Sequence, residues 1–195
     1  MPSNKQAEII VAAIHLFQQK GYHATSMQDI ADAVSLQKGS LYHYIAGKED
    51  LLVAIIHDAI IQYNARLAEV KAMDLPVRRR LELAVRAHLE GIAENLGTLT
   101  IFLRESYALN AEQAKLIDAE NAVYNRMFEE LYAEGVASGE VRNLDPKLVN
   151  RTVLGACNWI YRWYDPQGPQ SIKEMSDFFV DLLFKGMEVR ETPPA

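Results

Sequence analysis

At 195 residues, with 49% hydrophobic and 24% charged residues, the chain has the composition of a folded protein and the length of one large domain or two small ones. A net charge of −6 excludes bulk basic character as a source of nucleic-acid affinity, and a lone cysteine, Cys157, excludes an internal disulfide or a cysteine-based zinc site. The longest apolar runs, Ile9 to Ile14 and Leu51 to Ile56, are six residues each, against the ~18–20 of a membrane-crossing helix, and the polar start of the chain lacks a signal-peptide core; a soluble, cytoplasmic protein is the expectation.

Helical periodicity runs from end to end, so the fold class is all-α. Ser3 and Gln6 have the spacing of a capping box, in which each side chain satisfies a free N–H at a helix start. Ile10, Ala13, Ile14 and Phe17 share one face of the first helix, and Gly21 is placed to close it in a left-handed turn. Ser26 with Asp29 opens a second helix carrying Ile30, Ala31 and Val34; a third spans about Lys38 to Tyr44, with Tyr44 expected in the core. After Gly47, Glu49 and Asp50 favour the start of a fourth helix, where they meet its positive dipole end, and its apolar positions continue to about Lys71.

The fifth helix holds Leu81, Val85, Leu89 and Ile92, and the sixth Leu99, Phe102, Leu103 and Tyr107. A long seventh runs from about Ala111 to Ala137 with Leu116, Val123, Tyr124, Met127, Phe128 and Leu131. The eighth carries Val149, Val153, Ala156, Ile160 and Trp163 and must end before Pro166 and Pro169. Ser171 with Glu174 caps a ninth, with Phe178, Phe179, Leu182, Leu183 and Met187, and the Glu191–Ala195 tail is expected to fray. The organisation is two-part: residues 1–47 with three short helices, and 48–195 with six, enough to bury a core and enclose a cavity.

Residues 26–45 read helix, tight turn, helix, the arrangement whose second helix enters the DNA major groove. Gly39 and Ser40 are small enough for the backbone to approach a duplex. Gln37 and Lys38 reach base edges or phosphates, and Tyr42, His43 and Lys48 offer donors to phosphate oxygens. Ser26, at the start of the first of the two helices, completes the DNA-facing set. The first fifty residues carry four lysines against five acids, so affinity rests on placed cations and helix ends, with a moderate salt dependence.

Ser26-Met27-Gln28-Asp29-Ile30-Ala31, then Lys38-Gly39-Ser40-Leu41-Tyr42-His43-Tyr44 and Lys48-Glu49-Asp50-Leu51-Leu52, resemble the DNA-binding signature of the TetR family of bacterial repressors over about residues 5–55. The resemblance implies a nine-helix fold, a homodimer joined by the last two helices of each subunit, a double-stranded operator as partner, and an effector pocket among the middle helices. Val153, Ile160, Phe178, Phe179 and Leu182 recur at helical spacing and are the expected interface. Ser35 stands where the family usually has the turn glycine, Gln37 where it often has a capping serine or threonine, and Ile45 where phenylalanine is usual.

Trp159-Ile160-Tyr161-Arg162-Trp163-Tyr164 with Pro166, Gly168 and Pro169 resembles the branch of that family that answers to acyl-coenzyme A thioesters and controls fatty acid, phenylacetate or steroid degradation. Core or interface packing accounts for such aromatics equally well. The effector reading implies an apolar tunnel from Tyr63, Leu89, Phe102, Tyr124, Met127, Phe128 and Trp159, and phosphate or adenine partners from Arg86, Arg104, Arg126 and Arg162. No cofactor or metal is expected: the five histidines lack ligand spacing, and no nucleophile–base–acid set is visible. The Arg78-Arg79-Arg80 run reads as a solvated helix face. Two rivals remain. One is a drug-efflux repressor binding cationic aromatic compounds through Glu90, Glu94, Glu105 or Glu120; the other is a small helical enzyme acting on acyl thioesters.

Overall fold

The computed structural model describes residues 4–105 and 109–186, and among them there are nine α-helices and no strand. They are α1 Asn4–Lys20, α2 Met27–Ala33, α3 Lys38–Leu41, α4 Lys48–Lys71, α5 Val77–Glu94, α6 Leu96–Glu105, α7 Ala111–Ala137, α8 Pro146–Asn158 and α9 Ile172–Lys185. A 3₁₀ turn, Trp159–Arg162, extends α8. Ser3, Tyr107, Met187 and the Glu191–Ala195 tail lie outside the described residues.

The chain gathers into two compact units. The first contains residues up to Ala65 together with Asn95–Tyr124; the second contains Arg66–Glu94 and the residues from Asn125 onward. This grouping differs from the two-part division at residue 47 that the sequence suggests.

In the first unit Ile9, Ala13 and Phe17 of α1 meet Ile30 and Ala31 of α2, Leu41 of α3 and Leu51, Leu52, Ile55 and Ile56 of α4. Ile101 of α6 and Ile117 of α7 join the same cluster. These α1 residues fall at i, i+4 and i+8, one stripe of a 3.6-residue helix. Gly21 ends α1 at φ +85°, in the left-handed region. The Ser26–Asp29 capping box forms in full.

α3 is a single turn, shorter than the Lys38-to-Tyr44 span that its pattern suggests, and its N-cap Gln37 makes no side-chain cap bond. Leu41 and Ile45, four apart, both turn inward, so Tyr44 points out and is 39% exposed rather than a core residue.

Among the described residues Ser35, in the turn between α2 and α3, is the non-glycine residue with positive φ, +55°. A Cβ there crowds the carbonyl, at ~1–2 kcal/mol, partly offset by glycine's larger chain entropy when unfolded. Ser35→Gly is expected to stabilise the protein by about 0.5–1 kcal/mol in urea unfolding; a loss of stability would show that the serine hydroxyl outweighs the strain.

In the second unit α5 packs against α9 and α8, burying Leu81, Val85, Leu89, Ile92, Val153, Cys157, Ile160, Met175 and Val180. Asp145 caps α8 through the N–H groups of Lys147 and Leu148, and Ser171 and Glu174 form the box that starts α9. Along α7 the inward positions are Ile117, Tyr124, Phe128 and Leu131, while Leu116 and Val123 turn outward.

His88, buried in α5, has Nε2 3.0 Å from Asn158 Oδ1. The amide oxygen only accepts, so Nε2 carries the proton. Burial, resisted by that bond, pulls its pKa from 6.5 down to about 4. Between those values the unfolded chain takes up the proton and the folded chain does not. His88 therefore costs nothing above pH 6.5 and removes stability as pH falls toward 4, by at most about 3 kcal/mol. His88→Gln is expected to lose this part of the acid sensitivity, read as the difference between the two stability–pH curves over pH 6.5–4; parallel curves would contradict a buried neutral imidazole.

Candidate nucleic-acid interface

The helix-turn-helix presents a small, open surface. Gln37, Lys38, Gly39, Tyr42 and His43 are all exposed and Ser40 is half-buried. A Cβ on Gly39 would meet nothing within 4 Å, so the backbone there is free to approach a duplex. Ser26 is exposed, but its hydroxyl is already bonded to the Asp29 carboxylate and N–H, so its first task is to hold α2. The Lys20 ammonium 2.6 Å from Asp29 is the largest of the influences that hold that carboxyl far below the usual range.

Lys48 is engaged elsewhere in the structure. Its ammonium donates to the carbonyls of Tyr22 (3.0 Å), His23 (3.4 Å) and Thr25 (3.1 Å), and lies 4.5 Å from the centre of the Tyr22 ring. It ties the first turn of α4 to the chain reversal after α1. Lys5 donates to the Val34 carbonyl at 3.0 Å and pairs with Glu8, and Lys20 pairs with Asp29. Among the described residues of the first fifty, Lys38 is therefore the lysine with neither an ion pair nor a hydrogen bond, and it sits at the start of α3.

A second surface lies on α8 and α9 in the other unit. Leu148 (60% exposed), Thr152, Gly155, Trp159 (60%) and Trp163 (50%) are three to four residues apart and open to solvent. On α9, Phe178 is 64% exposed and Leu182, one turn on, is exposed too. Of the five expected interface residues, Phe178 and Leu182 lie on this surface and Phe179 is half-buried. Val153 and Ile160 do not: both are buried in the subunit's own core. Val153 and Ile160 belong to the inward stripe of α8, not to the outward one that the helical pattern suggested.

The expected effector residues divide between the two units. In the first, Tyr63 and Tyr124 meet edge to face with centres 6.2 Å apart, and Phe102 packs half-buried on the core. Arg104 is exposed, while its neighbour Glu105 turns in and pairs with His23 at 3.4 Å. In the second unit Leu89 and Phe128 are buried and Met127 is half-buried. Arg86 is ion-paired with Asp177, joining α5 to α9. Arg126 and Arg162 are exposed, the latter 5.9 Å from the Tyr161 ring.

Pattern reading missed the His57–Glu120 pair, 2.9 Å, which joins α4 to α7, and the outward roles of Leu148, Thr152 and Trp163. The Leu148–Thr152 and Trp159–Trp163 pairs, each four apart, were the available signal. Among the described residues no cluster of histidine, cysteine, aspartate and glutamate is placed to hold a metal ion, and no helix is long and apolar enough to cross a membrane.

Two family signatures match the chain: "Bacterial regulatory proteins, tetR family" over residues 9–55, and "Tetracyclin repressor-like, C-terminal domain" over 74–187, more than half of the length. The chain is 26% identical to the HTH-type transcriptional repressor KstR2 of Mycolicibacterium smegmatis over 95% of its own length and 92% of that protein's. It is 26% identical to the fatty acid metabolism regulator protein of Bacillus subtilis over 94% and 95%. Among solved structures, AibR in complex with isovaleryl coenzyme A and operator DNA superposes with a TM-score of 0.85 at 30% identity, covering 93% of this chain and 98% of that one.

Proposed function

The chain belongs to the TetR family of bacterial transcriptional regulators, which are not enzymes, and on that premise we propose that it represses transcription as a homodimer that an acyl-coenzyme A thioester releases from its operator. The observation that carries the effector is the likeness, over nearly the whole chain, to a regulator solved with both an acyl-coenzyme A and DNA. The relative named KstR2 supports repression, and the relative named for fatty acid metabolism supports a regulator of that metabolism.

The chain's own residues suit such a ligand. Arg104, Arg126 and Arg162 are exposed and form no ion pair among the described residues, and each lies within three positions of an apolar or aromatic residue: Phe102, Met127 and Trp159. Exposed cations of this kind are what a thioester's phosphates require. Three of the four acids that a cationic drug would need are matched already. Glu105 faces His23, Glu120 faces His57, Glu94 pairs with Arg66, and Glu90 is exposed.

Release requires an effector that binds the DNA-incompetent state more tightly. α4 starts beside the helix-turn-helix, so a tilt of α4 changes the separation of two recognition helices that must reach successive major grooves roughly 34–36 Å apart.

The test is a titration of the operator complex with thioesters of increasing chain length. Each buried methylene contributes about 0.8 kcal/mol, so potency is expected to rise about fourfold per carbon until the cavity is full and then fall. Free fatty acids, lacking the phosphates, are expected to be weak releasing agents. Arg104→Ala and Arg162→Ala are expected to raise the thioester needed and leave DNA affinity alone. If no thioester of any length released the operator while cationic dyes did so readily, the drug-efflux reading would take its place.

A further inference from the structure

Val11 is 66% exposed, the most of any large apolar side chain among the described residues. At 3.6 residues per turn it stands roughly 200° from Ile9 and from Ala13, and both of those are in the core, so Val11 points away from its own subunit. It lines an open groove of about 620 Å³ between α1 and α2, together with Ala7 and Ala12 of α1 and Ala33 at the end of α2. The polar residues of the lining are Glu8 and His15.

The groove is poorly suited to DNA. No lysine or arginine lines it. The nearby Lys5 is spent on the Val34 carbonyl at 3.0 Å and on Glu8 at 2.8 Å. Asp32, beside Ala33, is exposed and adds a second carboxylate. Two acids at the margin of an apolar surface repel phosphate.

The charges do suit the same helix reversed. Glu8 and His15 are seven positions apart, about two turns, and so share a face with Val11 between them. When two α1 helices pack antiparallel about a two-fold axis at Val11, each Glu8 comes opposite the other copy's His15, and Val11 comes opposite Val11. An imidazole N–H donates to a carboxylate whether the ring is neutral or charged. Alanine at 7 and 12 lets the two backbones close to the roughly 8–10 Å of packed helices.

We propose that this groove is a contact between two copies of the chain, α1 antiparallel to α1, and that it joins repressor dimers to one another. It uses none of the exposed residues of α8 and α9 and is independent of the effector. The groove is lined by eight residues, well short of the roughly 20–30 a side of a stable interface. The contact is therefore weak: dimers predominate on dilution, and larger species form at high concentration or where DNA holds two dimers side by side.

Sedimentation of the full chain over a concentration series, without effector, reads the association, and species larger than a dimer are expected at its upper end. Val11→Glu is expected to raise the concentration at which they form at least tenfold. Because Val11 is exposed, the dimer, the fold and the affinity for a single operator should stay as they were. His15→Glu sets like charges against Glu8 and is expected to weaken the association as well. Adding Glu8→Lys to it restores opposite charges, and association should return, which a merely structural loss would not allow.

Crosslinking reads the register. Under a mild oxidant Val11→Cys is expected to join two chains at least tenfold faster than Gln19→Cys, an exposed position on the same helix, and the native Cys157 is buried and does not compete. Crosslinking no faster at 11 than at 19 would overturn the proposal, as would a dimer that does not grow at any concentration or larger species that persist in Val11→Glu. Loss of single-operator binding in Val11→Glu would also overturn it and assign the groove to DNA. Release of the operator by thioesters is read on single dimers, so the effector reading and this one fail separately.

Discussion

Phe178→Arg is expected to yield a folded monomer whose operator affinity is lower by roughly two to four orders of magnitude, the gain that linking two half-site contacts supplies. Phe178 is 64% exposed on α9, one turn from exposed Leu182, and the same unit shows the Leu148–Thr152–Trp159–Trp163 stripe of α8 to solvent. Pairing these surfaces across a two-fold axis buries them at both ends, and a stable interface needs more than about 1,200 Å² in all. An arginine at the centre meets its own copy or apolar neighbours and stays unpaired, which association cannot offset. Because Phe178 makes little of the subunit core, helix content and the unfolding midpoint measured at low concentration should hold. Sedimentation and an operator titration read the two effects. A dimer of undiminished strength would move the interface off α9.

Lys48→Met is expected to lower stability by about 2 kcal/mol, the scale of hydrogen bonds to a charged donor, or roughly 4–8 °C in Tm for a chain of this length. The methionine keeps the side chain's bulk but removes the ammonium from the carbonyls of Tyr22, His23 and Thr25, of which Tyr22 keeps the Thr25 N–H at 3.3 Å, and Tyr22 and Thr25 are buried residues. DNA binding should weaken for all sequences alike, because the helix-turn-helix loses its tie to α4. The dependence on salt should stay as it was. A lysine that contacts phosphate behaves in the opposite way: Tm holds, and the log–log salt slope falls by about one unit. That second outcome is what the motif by itself suggests for Lys48. Lys38→Ala supplies the contrast, since Lys38 is exposed and engaged with nothing in the free protein; there the slope should fall and Tm should not.

The helix-turn-helix, the nine helices and most of their ends were legible in the sequence because they rest on short-range physics. Ser26 with Asp29 and Ser171 with Glu174 satisfy free N–H groups three residues away, Gly21 supplies a left-handed φ, and α7 runs from Ala111 to Ala137 as its periodicity indicates. Tertiary structure decided which stripe of each helix faces inward and which charges are already matched. Val153 and Ile160 lie in the subunit core while Leu148 and Trp159 lie outside it, although all four are apolar, because α5 packs on one side of α8 and leaves the other open. Arg104 points outward and Glu105 inward because His23, 82 positions earlier in the chain, is there to meet the carboxylate. Lys48 likewise finds its carbonyls 23 to 26 residues away. Spacing along a chain carries the period of a helix, but the partner that settles a charge or an apolar face is brought up by the fold.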